Sequence, residues 1–257
     1  MQVHVIRAIW TLTAAVLLTL MIGVPVLTVC PLLPWRWGFD RCFSVWSRGI
    51  LAATGIRLTV TGRDGLTPGM NYFFVGNHQS MMDIPAMTLA TRGRIRFMAK
   101  KSLFRIPWFG WIMHIFGFVP IDRSNARRAS EAIDKMFDRL TRRGGSMLVF
   151  PEGSRTTDGA LGRFKRGSIR VCQHSGLAVV PFAIDGTFSV HRRGEFFIRP
   201  GPVRIVLGEP IESGEVSGMS PDALLERVRE TVSRLLARSG SKPVTAGVAM
   251  AACGGVL

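Results

Sequence analysis

The chain has 257 residues, long enough for one large domain with an attached segment, and it carries 33 Lys and Arg against 17 Asp and Glu, a formal net charge of +16 at pH 7. That charge sits in a chain that is 47% hydrophobic, with a mean hydropathy of +0.25 and a single tyrosine. Without base-stacking aromatics interleaved with the charge, the balance points to a membrane surface and anionic ligands and away from nucleic acid.

Between Arg7 and Arg36 no charged residue occurs, and Ile9 to Leu33 is rich in Leu, Val, Ile and Ala. A hydrocarbon layer of about 30 Å needs roughly 20 apolar residues, so this stretch predicts a membrane-anchoring helix. It is too long for the apolar core of a cleaved signal peptide, and no small-x-small site comes after it. Pro25, Pro31 and Pro34 predict a break in its second half, which leaves spanning and re-entrant forms open. Trp35, Arg36, Trp37, Arg41, Trp46 and Arg48 then mix aromatics with arginine, either as an interfacial segment or as an amphipathic helix packed on the domain. The excess of basic residues after the apolar run predicts that the remainder of the chain lies on the cytoplasmic side of the membrane.

From Gly55 the pattern changes to short apolar runs alternating with helical ones. Strands are expected at Ile56 to Thr61, Tyr72 to Val75, Ile95 to Ala99, Met147 to Phe150, Val179 to Ile184 and Val203 to Leu207. Residues 126–142 read as a helix stopped by Gly144-Gly145, and Gly167 to His174 as another. Ser220-Pro221 caps a last amphipathic helix with Leu224, Leu225, Val228, Val232, Leu235 and Leu236 on one face. The alternation predicts an α/β fold with a mixed, largely parallel sheet flanked by helices, preceded by the anchoring segment. Cys30, Cys42, Cys172 and Cys253 are scattered, without Cys-x-x-Cys or metal-ligand spacing, and read as small hydrophobes in a reducing compartment.

Two loops after strands carry candidate chemistry. In Asn77-His78-Gln79-Ser80-Met81-Met82-Asp83, a histidine and an aspartate five positions apart have the composition of a general-base pair. On a continuous helix they would lie roughly 140° apart, so they need a turn between them. Ser80 as an N-cap, with Asp83 three residues on, places His78 in the loop and Asp83 in the first helical turn. The same Asp83 suits a helix N-terminus without any catalysis, and a lone histidine is usually structural. The second loop, Phe150-Pro151-Glu152-Gly153-Ser154-Arg155, presents Glu152 and Arg155, and arginine binds phosphate bidentately. Arg123, after Pro120-Ile121-Asp122, supplies a further cation, and Phe164-Lys165-Arg166-Gly167 adds charge beside a helix N-terminus.

Taken together these motifs resemble the glycerolipid acyltransferases, in particular the bacterial 1-acyl-glycerol-3-phosphate branch. Asn77, His78 and Asp83 match the Asn-His-x4-Asp motif, Ile121-Asp122-Arg123 the end of the second, Phe150 to Arg155 the third and Val180-Pro181 the fourth. Two departures stand out: Lys100-Lys101-Ser102-Leu103 lacks the glutamate of the usual Lys-x-Glu-Leu, and Ser154 replaces the commoner threonine. The resemblance implies transfer of an acyl chain from acyl-CoA or acyl-carrier protein to the sn-2 hydroxyl of lysophosphatidic acid, with no cofactor and no metal. It implies His78 as the base, Asp83 as its orienting carboxylate, and Arg123, Glu152, Gly153 and Arg155 around the acceptor's phosphate and glycerol. Glu152 is left either on the glycerol or ordering the loop, and Asn77, Lys101 and Lys165 are supporting residues. Ser80 as a nucleophile is disfavoured by the absence of a Gly-x-Ser-x-Gly elbow. Residues 1–54 are then the anchor with its interfacial helix, 55–239 the catalytic domain, and 240–257 a disordered tail. Another lysolipid acceptor and a non-catalytic lipid-binding protein are the alternatives.

Overall fold

The computed structural model describes residues 2–28, 35–121, 133, 144–195 and 197–240. Among them, seven strands form one sheet: β1 (Ile56–Thr61), β2 (Tyr72–Gly76), β3 (Ile95–Lys100), β4 (Val119–Ile121), β5 (Ser146–Val149), β6 (Ala178–Asp185) and β7 (Gly201–Leu207), in the order β1-β7-β6-β2-β5-β3-β4. All neighbours are parallel except the antiparallel pair β6 and β7. The mixed, largely parallel sheet is therefore the one expected. β2, β5 and the apolar part of β6 read as continuous hydrophobic runs because both faces of the sheet are covered there. β1 and β7 alternate buried and exposed residues, as strands covered on one face do. β4 was not legible as a strand: it has three residues, one of them Pro120, and pairs only along the sheet's edge with β3.

One face of the sheet is covered by α1 (Gln2–Thr28), α2 (Trp35–Thr54), α3 (Asp83–Ala90) and α4 (Phe109–Ile115), the other by α5 (Arg166–His174) and a long C-terminal helix. Two short helices, α6 (Thr187–Val190) and α7 (Ser213–Gly218), precede that last one, α8 (Pro221–Arg238). α8 begins as expected, with the Ser220 hydroxyl accepting from the Ala223 N–H at 3.2 Å and Pro221 in the first turn. Its Leu224, Val228 and Val232 are fully buried, each contributing on the order of 1.5–3 kcal/mol of hydrophobic stabilisation. The helix expected over 126–142 lies outside the described residues, apart from a helical Ile133, and so does the tail beyond 240. Gly144 and Gly145 are described, with φ of 66° and 123°, a region that favours glycine.

The N-terminal segment differs from its expected form. Among the described residues no helix is long and apolar enough to cross a membrane. α1 instead lies along the protein, running without interruption past Pro25 to Thr28. On one side Thr19 accepts a hydrogen bond from the Trp46 indole of α2 at 3.1 Å, and Gly23 leaves no room for a Cβ against Trp108 and Ile112. The opposite side leaves Ile6, Ile9, Trp10, Leu17, Met21 and Val24 about half exposed or more. α2 takes the packed alternative: Phe43, Ile50 and Leu51 are in the core, and Asp40 pairs with the buried Arg96 of β3 at 2.8 Å.

Candidate active site

The site is built where β2 leaves the sheet between β6 and β5. The last residue of the strand, Gly76, has to be glycine because a Cβ there would lie 2.3 Å from the Phe182 carbonyl oxygen on β6. Asn77 then continues the pairing with its side chain: Oδ1 accepts from the Ile184 N–H and Nδ2 donates to the Ile184 carbonyl, both at 2.8 Å. The backbone is thus freed to turn away from the sheet while still pinned to it. His78 donates its own N–H to Glu152 Oε1 at 3.1 Å, and its carbonyl accepts from the Thr156 N–H at 2.9 Å. The two motif loops are stitched together through the backbone of the histidine.

The His78 ring bonds Asp83 Oδ2 through Nδ1 at 2.7 Å and stacks on Phe150 with centroids 4.0 Å apart. Oδ2 also accepts the N–H groups of Gln79 at 2.7 Å and Ser80 at 2.8 Å. An ionised carboxylate only accepts, so Nδ1 carries the proton and Nε2 keeps its lone pair. Asp83 is fully buried, whereas the His78 side chain retains 18% of its exposure, so the free nitrogen belongs to the residue that solvent or substrate can reach. The expected geometry, a loop histidine facing a first-turn aspartate, is present. The expected capping box is present in the turn before the regular helix: α3 itself starts at Asp83 with Met82 at its N-cap, while the Ser80 hydroxyl accepts from the Met82 N–H at 3.3 Å and also bonds His191 Nδ1 at 3.1 Å. Asp83 supplies the reciprocal bond of that box by accepting the Ser80 N–H.

On the second loop, Gly153 adopts φ 74° and lies under Lys165, whose Nζ would meet a Cβ there at 2.7 Å. The Lys165 N–H bonds the Pro151 carbonyl at 2.9 Å, which brings Lys165 to the loop. Glu152 is buried, and its carboxylate accepts from the N–H groups of His78 and Gly162. Burial pushes its pKa up to about 7; those two N–H bonds oppose the rise and the charges of Asp83 and Asp158 add to it. Of the two roles left open for Glu152, this geometry supports ordering the loop. Arg155 is half-buried, close enough to His191 for its charge to act on that ring, and has no hydrogen bond or ion pair among the described residues. Lys101 is exposed at the carboxyl end of β3, with no described contact to His78, and Arg123 lies outside the described residues.

Three participants were not found from the sequence. Gln79 accepts from the Thr187 hydroxyl at 3.2 Å and the Phe188 N–H at 3.4 Å, Phe150 supports the imidazole face, and the buried His191 reaches Ser80. The apolar character of Phe150 was visible; the other two contacts join residues more than a hundred positions apart and have no local signature.

A histidine with a fixed tautomer and a free Nε2, beside unpaired cationic groups, is equipped to take a proton from a bound hydroxyl on an anionic ligand. Comparison with known proteins gives the family. A family model described as Acyltransferase matches residues 57–185. The chain is 32% identical over 206 residues to a chloroplastic 1-acyl-sn-glycerol-3-phosphate acyltransferase of Arabidopsis thaliana, an alignment covering 78% of this chain and 55% of that protein. A 1-acyl-sn-glycerol-3-phosphate acyltransferase of Pseudomonas aeruginosa is 28% identical, over 77% of this chain and 76% of its own. The crystal structure of the 1-acyl-sn-glycerophosphate (LPA) acyltransferase PlsC from Thermotoga maritima superposes with a TM-score of 0.77 at 26% identity, covering 93% of this chain and 98% of that one. The chain spans about half the length of the two plant relatives it matches at 32% and 34% identity.

Proposed function

Because the chain belongs to the acyltransferase family, we propose that it transfers an acyl chain from a thioester donor, acyl-CoA or acyl-carrier protein, to the sn-2 hydroxyl of lysophosphatidic acid, giving phosphatidic acid. The observation that carries this reading is the 2.7 Å bond between His78 Nδ1 and a carboxylate already fixed by two backbone N–H groups. His78 Nε2 takes the hydroxyl proton as the oxygen attacks the thioester carbonyl. The tetrahedral intermediate collapses, the carbon–sulfur bond breaks, and the thiolate leaves with the proton from the imidazolium. General-base help of this kind contributes roughly 10²–10⁴-fold. Arg155 and Lys165, with Arg123 after the second motif, bind the acceptor's phosphate, while Glu152 keeps the two loops in register.

The exposed apolar side of α1 supports attachment to one face of a bilayer, which is where a two-chain product belongs. The net positive charge suits the anionic, cytoplasmic surface of that membrane. The test is turnover of lysophosphatidic acid by the wild type and His78→Ala with each donor in turn. Equal turnover would refute the base assignment. Because Ser102 and Ser154 depart from the family pattern, the same assay is run over a panel of acceptors, including lyso-ornithine lipid. A wild type that acylates another lysolipid and ignores lysophosphatidic acid would overturn the acceptor.

A further inference from the structure

We infer that His191 is a positioning residue for this reaction: it fixes the hydroxyl of Ser80 and, through Ser80, the aspartate that holds His78. The inference rests on the reaction proposed above and concerns the same loop. His191 stands at the end of α6, 111 positions from Ser80, and both side chains are buried, with residue exposures of 6% and 0%.

The direction of every bond is dictated by what each atom is able to do. His191 Nε2 lies 3.1 Å from the Glu195 carbonyl, which only accepts, so Nε2 carries the proton. Nδ1 is then bare and accepts the Ser80 hydroxyl proton at 3.1 Å. With its proton committed, the Ser80 oxygen accepts from the Met82 N–H at 3.3 Å. The Ser80 backbone N–H in turn donates to Asp83 Oδ2 at 2.8 Å, and Oδ2 holds His78 Nδ1. One buried ring thus sets one serine rotamer, and that serine supplies one of the three bonds on the working oxygen of Asp83. Burial and the charge of Arg155 both disfavour an imidazolium at His191, which keeps Nδ1 an acceptor.

The competing use of a serine beside a histidine is nucleophilic catalysis. It fails on geometry here: Ser80 has no exposed surface, and a backbone carbonyl stands behind the ring where an orienting carboxylate would be required. Asn77 and Gln79 show the same construction, since they also hold the loop to residues 184–188. His191 is the clamp on Ser80.

Asparagine and glutamine separate the two ends of the ring. In His191→Asn the side-chain oxygen takes the place of Nδ1 and keeps the Ser80 bond; in His191→Gln the amide reaches the place of Nε2 and keeps only the Glu195 bond. On lysophosphatidic acid, H191N is expected to stay within about three-fold of wild-type kcat. H191Q falls about ten-fold at unchanged KM, the size of one buried hydrogen bond expressed as a rate. Ser80→Ala, which cuts the link from the other side, falls by the same factor, and the double variant S80A/H191Q falls no further. Two outcomes overturn the inference: H191N and H191Q altered equally, or a loss confined to KM. An independent readout is the His78 Nδ1 proton resonance of the full chain in detergent. It shifts in H191Q and stays in place in H191N, and an unmoved resonance in H191Q overturns the inference even in a protein that acylates a different acceptor.

Discussion

Two sets of polar groups meet at the carboxyl edge of the sheet, and they are held in opposite ways. Around His78, the side chains of Asn77, Gln79, Ser80 and Asp83 all make hydrogen bonds, and Asp83 Oδ2 takes three while its buried Oδ1 has no partner among the described residues. Around the second loop, the side chains of Arg155 and Lys165 have no hydrogen bond or ion pair among the described residues, although Arg155 is half-buried. A half-buried guanidinium without a partner is a costly arrangement that an arriving anion relieves, whereas a locked imidazole costs no reorganisation when the reaction occurs. On the proposed function, the first set serves the chemical step and the second holds the substrate.

The largest effect is expected from removing the locked base. His78→Ala should lower kcat by roughly 10⁴-fold, the upper end for general-base catalysis, in single-turnover acylation of lysophosphatidic acid. Next comes Asp83→Asn, which keeps the volume and loses the acceptor that sets the tautomer; a fall of roughly 10²-fold in kcat at near-constant KM is expected. If D83N instead turned over like the wild type, the rigid set would be scaffolding. Arg155→Ala should do the reverse, raising KM for the acceptor about ten-fold and leaving kcat within about three-fold. A loss of kcat with constant KM would erase the division between the two sets.

The smallest effect concerns the residue that joins them. Glu152 titrates near 7 in the folded protein and near 4.5 in the unfolded chain, so between those values the folded state binds the extra proton. Stability contributed by this group is therefore present below pH 4.5 and is lost as pH rises towards 7. Glu152→Gln removes the titration, so its melting temperature is expected to gain on the wild type across that window. Parallel melting curves across it would show that the carboxyl does not titrate there.

The sheet was legible because its strands are apolar runs bounded by glycine and turn residues, and α8 because Leu224, Val228 and Val232 recur at helical spacing behind a Ser-Pro cap. The pairing of His78 with Asp83 was legible because both lie within one turn. Ser80 was legible as the partner of Asp83 in a capping turn, whereas its contact with His191, 111 positions on, has no local signature. Of the N-terminal segment, the apolar character was legible and the packing was not. Hydropathy summed along α1 does not distinguish a helix surrounded by lipid from one with half its circumference packed on protein. The distinction lies in where the small residues fall: Gly23 faces Trp108, and Gly49 of α2 faces Leu18.

The pairing of β1 with β7 places the first strand against the last, and Gly201, the partner of Ile56, comes 145 positions after it. β2 waits almost as long for β6, and the Asn77 side chain finds Ile184 only after 107 further residues. During synthesis the base, its carboxylate and the apolar N-terminal helices all leave the ribosome well before the strands that complete the sheet. The chain therefore has to remain open until most of it has been made, and its catalytic loop is among the last parts to close.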